Sequence, residues 1–374
     1  MRGVRSAQDL GIDYAVARST VQTSQLIAPL FVVLGSVISG SLECSTHEDT
    51  KAQHGAELYA RTCAVCHGDN GEGYKADDAP ALSHPDFLAS VTDPYLRQAI
   101  TQGRAGSTMS AWGRVRGGPL SPNDVDDVIT HLRTLQKKKI RLDERPNNGD
   151  ISRGEALFTR ECVRCHGVHG TGGPFEHIGD SELLATAGNG FLRHAITHGR
   201  TGTAMPAFDL TLGEQGIEDV LATLRSWQQM PATAFRPDPP PQVNPLPLGP
   251  VPLNPQGPEP VGFKADPGTT PADVIHAQLA RGAKLAILDA RAPSDYTNEH
   301  IAGAVSVPFY APEPYFDQLP HDAWLVAYCS CPHAESGMLA RKLVAKGFTK
   351  VTVLDEGLGV WKNKKYPVKT GDKP

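Results

Sequence analysis

The chain repeats itself, and each copy carries the same cysteine–histidine pattern. The segment GAELYARTCAVCHGDNGEG (Gly55 to Gly73) aligns with GEALFTRECVRCHGVHGTG (Gly154 to Gly172) at an offset of 99 residues. Further on, FLASVTDPYLRQAITQGRAGSTM (Phe87 to Met109) aligns with LLATAGNGFLRHAITHGRTGTAM (Leu183 to Met205) at an offset of 96. Each copy then closes on a helical pattern. The first opens at Ser121-Pro122, an N-cap followed by proline at the first helical position, and runs through VDDVITHLRTLQ. The second runs through GIEDVLATLRSWQ. Each unit is therefore predicted to read helix, Cys-x-x-Cys-His, loop, short helix, Met-bearing loop, closing helix. The expectation is a small all-α domain present twice, over residues 53–138 and 150–229.

The chemistry of the repeated motif is specific. Two thiols three positions apart, Cys63 with Cys66 and Cys162 with Cys165, can each add to one vinyl group of a single porphyrin. The adjoining His67 or His166 then lies under the iron as an axial ligand. A shared zinc site built from both pairs would leave His67 and His166 without a role, and its ligands would come from two separate repeats. Two covalently bound haem c groups are the expectation. Met109 and Met205 occupy matching positions in GRAGSTM and GRTGTAM, in a chain with five methionines. A methionine often merely fills a core, but recurrence ahead of both closing helices points to the sixth iron ligand. His/Met ligation closes both axial positions, which suits electron transfer rather than oxygen activation. His194 and His198 correspond to Gln98 and Gln102 in the first copy and are read as surface or structural residues rather than ligands.

On these motifs both repeats resemble class I cytochrome c domains, over Gln53 to Gln229. The resemblance implies maturation outside the cytoplasm. One departure stands out: Ser110 follows Met109 where the second copy has Pro206.

Ahead of the repeats, residues 26–42 form an apolar run, LIAPLFVVLGSVISGSL, with Arg2, Arg5 and Arg18 before it and small residues at its end. Residues 1–45 therefore read as an export signal or membrane anchor. A run of this length only just reaches what spans a bilayer. Three readings stay open: a cleaved signal, an uncleaved anchor, and a lipid on Cys44, although Glu43 breaks the usual lipidation pattern. All three place the rest of the chain in the periplasm or on the outward face of the membrane.

Behind the repeats, twelve of the thirty residues from Pro231 to Pro260 are proline. That density excludes helix and central strand. Residues 231–265 are predicted to be a stiff polyproline II spacer, its thirty residues from Pro231 to Pro260 alone reaching about 90 Å at about 3.1 Å per residue.

The last unit alternates. Pro271–Ala280 reads helical, Leu285–Asp289 and Ala323–Tyr328 read as strands, Ser336–Lys346 as a helix ended by Gly347, and Val351–Leu354 as a strand. This is a small α/β sheet pattern, so the fold class expected is multidomain: two all-α units and one α/β unit. The pieces LDARAPSDYTNEHIAGAVSVP, VAYC and LVAKGFTKVTVLDEGLGVW resemble a single rhodanese domain, over residues 267–370. In that family a cysteine at the end of a central strand carries a sulfane sulfur as a persulfide, and Cys329 occupies that place. The family loop CxxGxR departs here to Cys329-Ser-Cys-Pro-His-Ala-Glu335, one residue longer and without the glycine or the anion-binding arginine. Glu299 likewise replaces the glycine that usually precedes His300. Cys331 adds a second thiol that is able to attack a persulfide on Cys329, pair with Cys329, or accept the sulfur itself. An inactive domain used for docking or redox sensing is the alternative.

A net charge of −5 offers no footprint for a polyanion, so nucleic acid is not an expected partner. The seven cysteines are an odd number, clustered for cofactor and thiol chemistry rather than for a disulfide framework. The partners expected are redox proteins (a quinol- or sulfur-oxidising complex and a terminal acceptor), a sulfane-sulfur donor, and the membrane through the N-terminal segment.

Overall fold

The computed structural model describes residues 47–73, 79–104, 106–173, 175, 177–200, 203–228, 246, 248–330 and 333–374. Residues 26–42, Cys44 and Cys331 lie outside the described residues. Among the described residues no helix is long and apolar enough to cross a membrane.

Each repeat is built on a pair of crossing helices. In the first, α1 (His47–Thr62) crosses the closing helix, and the short α2 (Ala64–His67), α3 (Pro85–Ser90) and α4 (Asp93–Gln102) lie between them in sequence. The closing helix α5 (Pro122–Thr134) starts as its sequence predicts. The Ser121 hydroxyl accepts from the Asp124 amide at 3.2 Å, and the Asp124 carboxylate accepts from the Ser121 amide at 2.8 Å. The second repeat follows with α6 (Ile151–Glu161), α7 (Val163–His166), α8 (Ser181–Thr186), α9 (Asn189–His198) and α10 (Asp209–Trp227). Gly213, at φ 63°, breaks the first turn of α10 from the rest.

The crossing demands a residue without a side chain. A Cβ on Gly55 would fall 1.9 Å from the Asp127 carbonyl oxygen, and one on Gly154 would fall 1.9 Å from the matching Asp219 carbonyl oxygen. Backbone cannot yield as a side chain does, so Gly154→Ala must separate α6 from α10. We expect a loss of about 1–3 kcal/mol in chemical denaturation of the second repeat.

Asp219 also fastens the start of α6. It accepts from the Asp150 amide at 2.8 Å and from Arg153 at 2.8 and 2.9 Å. The Arg153 hydrogen bonds hold its carboxyl down at about 2. A folded-state value below the unfolded one stabilises the fold above the unfolded pKa, and that contribution is lost as pH falls towards 2. Asp219→Asn should therefore lower stability at neutral pH, with the gap to the parent closing between pH 4 and 2 in an acid-unfolding series.

The third unit holds a five-stranded parallel sheet in the order β1-β6-β5-β2-β4. Its strands are β1 (Gly268–Thr270), β2 (Leu285–Asp289), β4 (Ala304–Ser306), β5 (Trp324–Tyr328) and β6 (Val351–Leu354). A short β3 (His300–Ile301) pairs antiparallel with β7 (Val368–Lys369). Helices α11 (Ala272–Ala280), α12 (Pro293–Asn298), α13 (Ala334–Ala345) and α14 (Gly357–Asn363) complete it. Every residue of β2 is buried, as a parallel strand covered on both faces requires. Alternate residues feed two cores: Leu285 and Ile287 pack with Ile275, Val326 and Trp361, while Ala286 and Leu288 pack with Leu325, Leu339 and Val353.

That second core does not stop at the third unit. It runs on through Phe309, Tyr310 and Trp112 into Leu58, Tyr95, Val128 and Leu132 of the first repeat. The second repeat joins it through Ala187 and Phe191, whose ring lies 4.8 Å from Tyr95, and keeps a further cluster of its own, made of Phe158, Leu184, Ile196, Ile217, Val220, Leu224 and Trp227. The proline-rich segment differs from the stiff spacer expected. Leu246 and Leu248 are buried in the cores of the third unit, the Tyr315 hydroxyl donates to the Leu246 carbonyl at 2.9 Å, and the Lys284 amide donates to the Pro258 carbonyl at 2.9 Å. From Leu246 onward the segment is part of that unit's wall, because leucines set between prolines supply an apolar face that the sheet can bury.

Candidate functional site

The turn after α1 assembles the first motif. Cys63 caps α2, whose last residue is His67, so both cysteines and the histidine share one helical turn. Burial pushes the Cys63 thiol up to about 11 and the matching Cys162 thiol up to about 12. The His67 ring is buried, and burial lowers its pKa, which keeps the imidazole neutral. Its Nδ1 lies 3.0 Å from the Pro80 carbonyl oxygen. A neutral ring that donates from Nδ1 presents Nε2 with its lone pair, the form an iron ligand needs. The donor set therefore fits a covalently attached haem. In the second repeat α7 ends at His166 in the same way, and Gly68 and Gly167 leave the two turns at φ 79° and 75°.

The methionine loops match hydrogen bond for hydrogen bond. Arg104 donates its amide to the Met109 carbonyl at 3.2 Å, and Arg200 donates to the Met205 carbonyl at 3.0 Å. The Met109 and Met205 amides each donate to a hydroxyl at 3.2 Å, from Ser107 and Thr203. Gly103 and Gly199 both sit at φ 68°, and a Cβ on either would fall 2.6 Å from the methionine carbonyl oxygen. Cys63 and Met109 pack on the same core, while Cys162 packs on the separate core of the second repeat.

The repeats meet at these loops. A Cβ on Gly106 would fall 2.3 Å from the His177 ring, so the first methionine loop abuts the loop that follows the second motif. The Arg200 guanidinium lies over the Phe87 ring at 4.9 Å and the Phe191 ring at 5.7 Å, bridging the two repeats. The His194 and His198 rings lie 4.5 Å apart, tilted at 58° to each other.

Cys329 directly follows β5 and is 1% exposed. Its Sγ lies 3.2 Å from the Ser336 hydroxyl in the first turn of α13, and its carbonyl accepts from the Leu358 amide at 2.9 Å. Two polar residues that sequence reasoning did not single out shape this site. One is Ser336. The other is Arg291, whose guanidinium pairs with Asp289 at 2.9 and 2.6 Å and reaches the Ser330 hydroxyl, next to Cys329, at 3.3 Å. Burial works against the Arg291 charge, but the Asp289 carboxylate outweighs it and holds the guanidinium well above its ordinary value. The signal was present in LDAR, where the arginine sits two residues past the strand's aspartate. Glu335, in place of the family's arginine, is buried beside the site.

The first repeat lies against this site. Val65 and Cys66 pack on Cys329 and Ala334. The Ser294 hydroxyl donates to the Ala111 carbonyl at 2.9 Å, and Ser110 donates to Asp295. Ser110 is thus explained: its hydroxyl contacts the third unit, whereas Pro206 at the matching place is exposed.

The family described as cytochrome c oxidase, cbb3-type, subunit III matches residues 50–132 and 149–222, and the rhodanese-like domain matches residues 272–364. The FixP subunit of the cbb3-type cytochrome c oxidase of Bradyrhizobium diazoefficiens is 28% identical over 180 residues, 46% of this chain and 59% of that protein. FixP of Azorhizobium caulinodans is 30% identical over 171 residues, 44% of this chain and 55% of that protein. The chain thus spans a little over half the length of these curated relatives. The rhodanese-like domain of the Alr3790 protein from Anabaena is 26% identical, covering 28% of this chain and 80% of that one, at a TM-score of 0.26. The chain is multidomain, with two cytochrome c segments of the cbb3-type subunit III kind followed by a C-terminal α/β rhodanese-like domain.

Proposed function

We propose that the chain is a dihaem c-type electron carrier, exported from the cytoplasm, whose rhodanese-like domain handles sulfane sulfur at Cys329. In this reading Cys63 with Cys66, and Cys162 with Cys165, hold the two haems. His67 with Met109, and His166 with Met205, are the axial ligands. The bound groups supply reversible one-electron chemistry. The chain's own residues do the rest: His67 is held neutral against Pro80, and matched hydrogen bonds fix both methionine loops. The likeness to cbb3-type oxidase subunits supports redox partners within a membrane-bound respiratory complex, with a quinol- or sulfur-oxidising donor on one side and a terminal acceptor on the other. Residues 1–45 would export or tether the chain, by the apolar run or through Cys44.

The observation that carries the sulfur half of the reading is the packing of Val65 and Cys66 on the Cys329–Ala334 pair. It supports a coupling of sulfur chemistry to electron transfer within one chain. The same burial favours a second reading, in which the rhodanese-like domain only docks. The visible spectrum of the oxidised protein, before and after polysulfide, separates the two. Haem reduction in the parent that is lost in Cys329→Ser supports coupling, and identical traces support docking.

A further inference from the structure

A thiol that exchanges sulfur with soluble donors needs an open approach, yet Cys329 is 1% exposed. Among the described residues, part of what packs on the Cys329–Ala334 pair comes from a distant part of the chain, Val65 and Cys66 of the first haem-attachment turn. This cover is fastened beside the site by Ser294 on the Ala111 carbonyl and by Ser110 on Asp295. The Trp112 ring stands edge-on to Phe309 at 6.3 Å and tilts over Tyr310 at 5.6 Å. The seam is not uniformly apolar. The Tyr310 hydroxyl is buried with no hydrogen-bond partner among the described residues, and Arg61 and Glu335 lie in its electrostatic neighbourhood. A buried donor with nothing to donate to marks a place where a small polar guest fits.

We propose that Cys329 and the Cys63–His67 turn form one composite pocket at this seam, which admits small inorganic polysulfide anions and excludes bulkier persulfides. The sulfur acquired there is held against the first haem-attachment segment and away from the second. This rests on the reading of Cys329 as the sulfur carrier and adds its substrate class and its place. The Cys329 thiolate attacks a terminal sulfur of the polysulfide dianion. A new S–S bond forms, the neighbouring S–S bond of the donor breaks, and the shortened polysulfide leaves with the electron pair. Charge and sulfur are conserved, and no oxidant is required.

The test uses the full-length holoprotein with two donors, inorganic tetrasulfide and glutathione persulfide. Sulfur on Cys329 is read by mass spectrometry after alkylation. In the parent, tetrasulfide should load Cys329 about tenfold faster than glutathione persulfide, since access sets the rate. Ser294→Arg, a wedge in the seam, should remove most of that difference by speeding the bulky donor. Ser110→Pro, which installs the residue of the second repeat, should move the ratio the same way without a wedge. Loading should also shift the visible bands of a Cys162→Ala/Cys165→Ala chain and leave those of a Cys63→Ala/Cys66→Ala chain unchanged. Equal rates in the parent, a ratio unmoved by both seam variants, or a band shift confined to the second repeat would each overturn the composite pocket while leaving sulfur handling intact. No sulfur on Cys329 from either donor in any chain would overturn the pocket and the sulfur-handling reading together.

Discussion

Replacing Cys162 and Cys165 together with alanine should lower the covalently bound haem from two groups per chain to one. On the proposed reading the thioethers formed by these thiols are the covalent link in the second repeat, and His166 and Met205 would hold a haem only by coordination. The loss should go beyond pigment. Cys162 and Val163 pack on the cluster that contains Phe158 and Trp227, so the lining of that core loses its neighbour. Haem that stays on the chain after denaturation and extraction, counted per chain by its pyridine complex, gives the answer. A covalent content unchanged from the parent would show that the second motif does not attach haem. The second repeat is the better target, because Cys66 of the first also packs on the third domain, where a substitution would have two effects at once.

Asp289→Ala should be the most damaging single change in the rhodanese-like domain. Asp289 is fully buried at the end of β2 and Arg291 is 5% exposed, so removing the carboxylate strands a charged guanidinium in the interior. The Tyr328 hydroxyl, which donates to the same carboxylate, loses its acceptor as well. Breaking a buried pair from one side costs about 3–5 kcal/mol. Chemical denaturation followed by far-ultraviolet circular dichroism should show this loss. Asp289→Ala combined with Arg291→Met should recover much of it, since the stranded charge is gone. If the double variant were no more stable than the single one, burial of the unpaired charge would not be the cause.

The parts of this architecture governed by local chemistry were legible in the sequence. Cysteine pairs three apart with a following histidine, a proline after the Ser121 cap, and runs such as LAILD each state their structure within a few residues. The seam between Cys329 and Cys66 was not legible, because the two positions are remote in sequence and each has a sufficient local explanation. Its one trace was Ser110, which broke the repeat's pattern without a local reason and proved to bond Asp295. The proline-rich segment was read too simply. Proline content excludes helix and strand, but it does not decide whether the chain stands free, and Leu246 and Leu248 decide that by being buried. Arg291 was passed over because a charged residue beside a buried strand announces itself only once its partner, Asp289, is known to be interior.

The continuous core joining Trp112 to Phe309 and Tyr310 bears on how the molecule comes apart. Residues as distant in sequence as Leu58, Phe191 and Leu343 belong to one packed cluster, and only part of the second repeat keeps another. Units that share a core lose their order together, and units with separate cores open on their own schedule. Calorimetry should accordingly show the first repeat and the rhodanese-like domain melting in one joint transition, so that the cooperative units of this chain are not the ones its sequence order suggests.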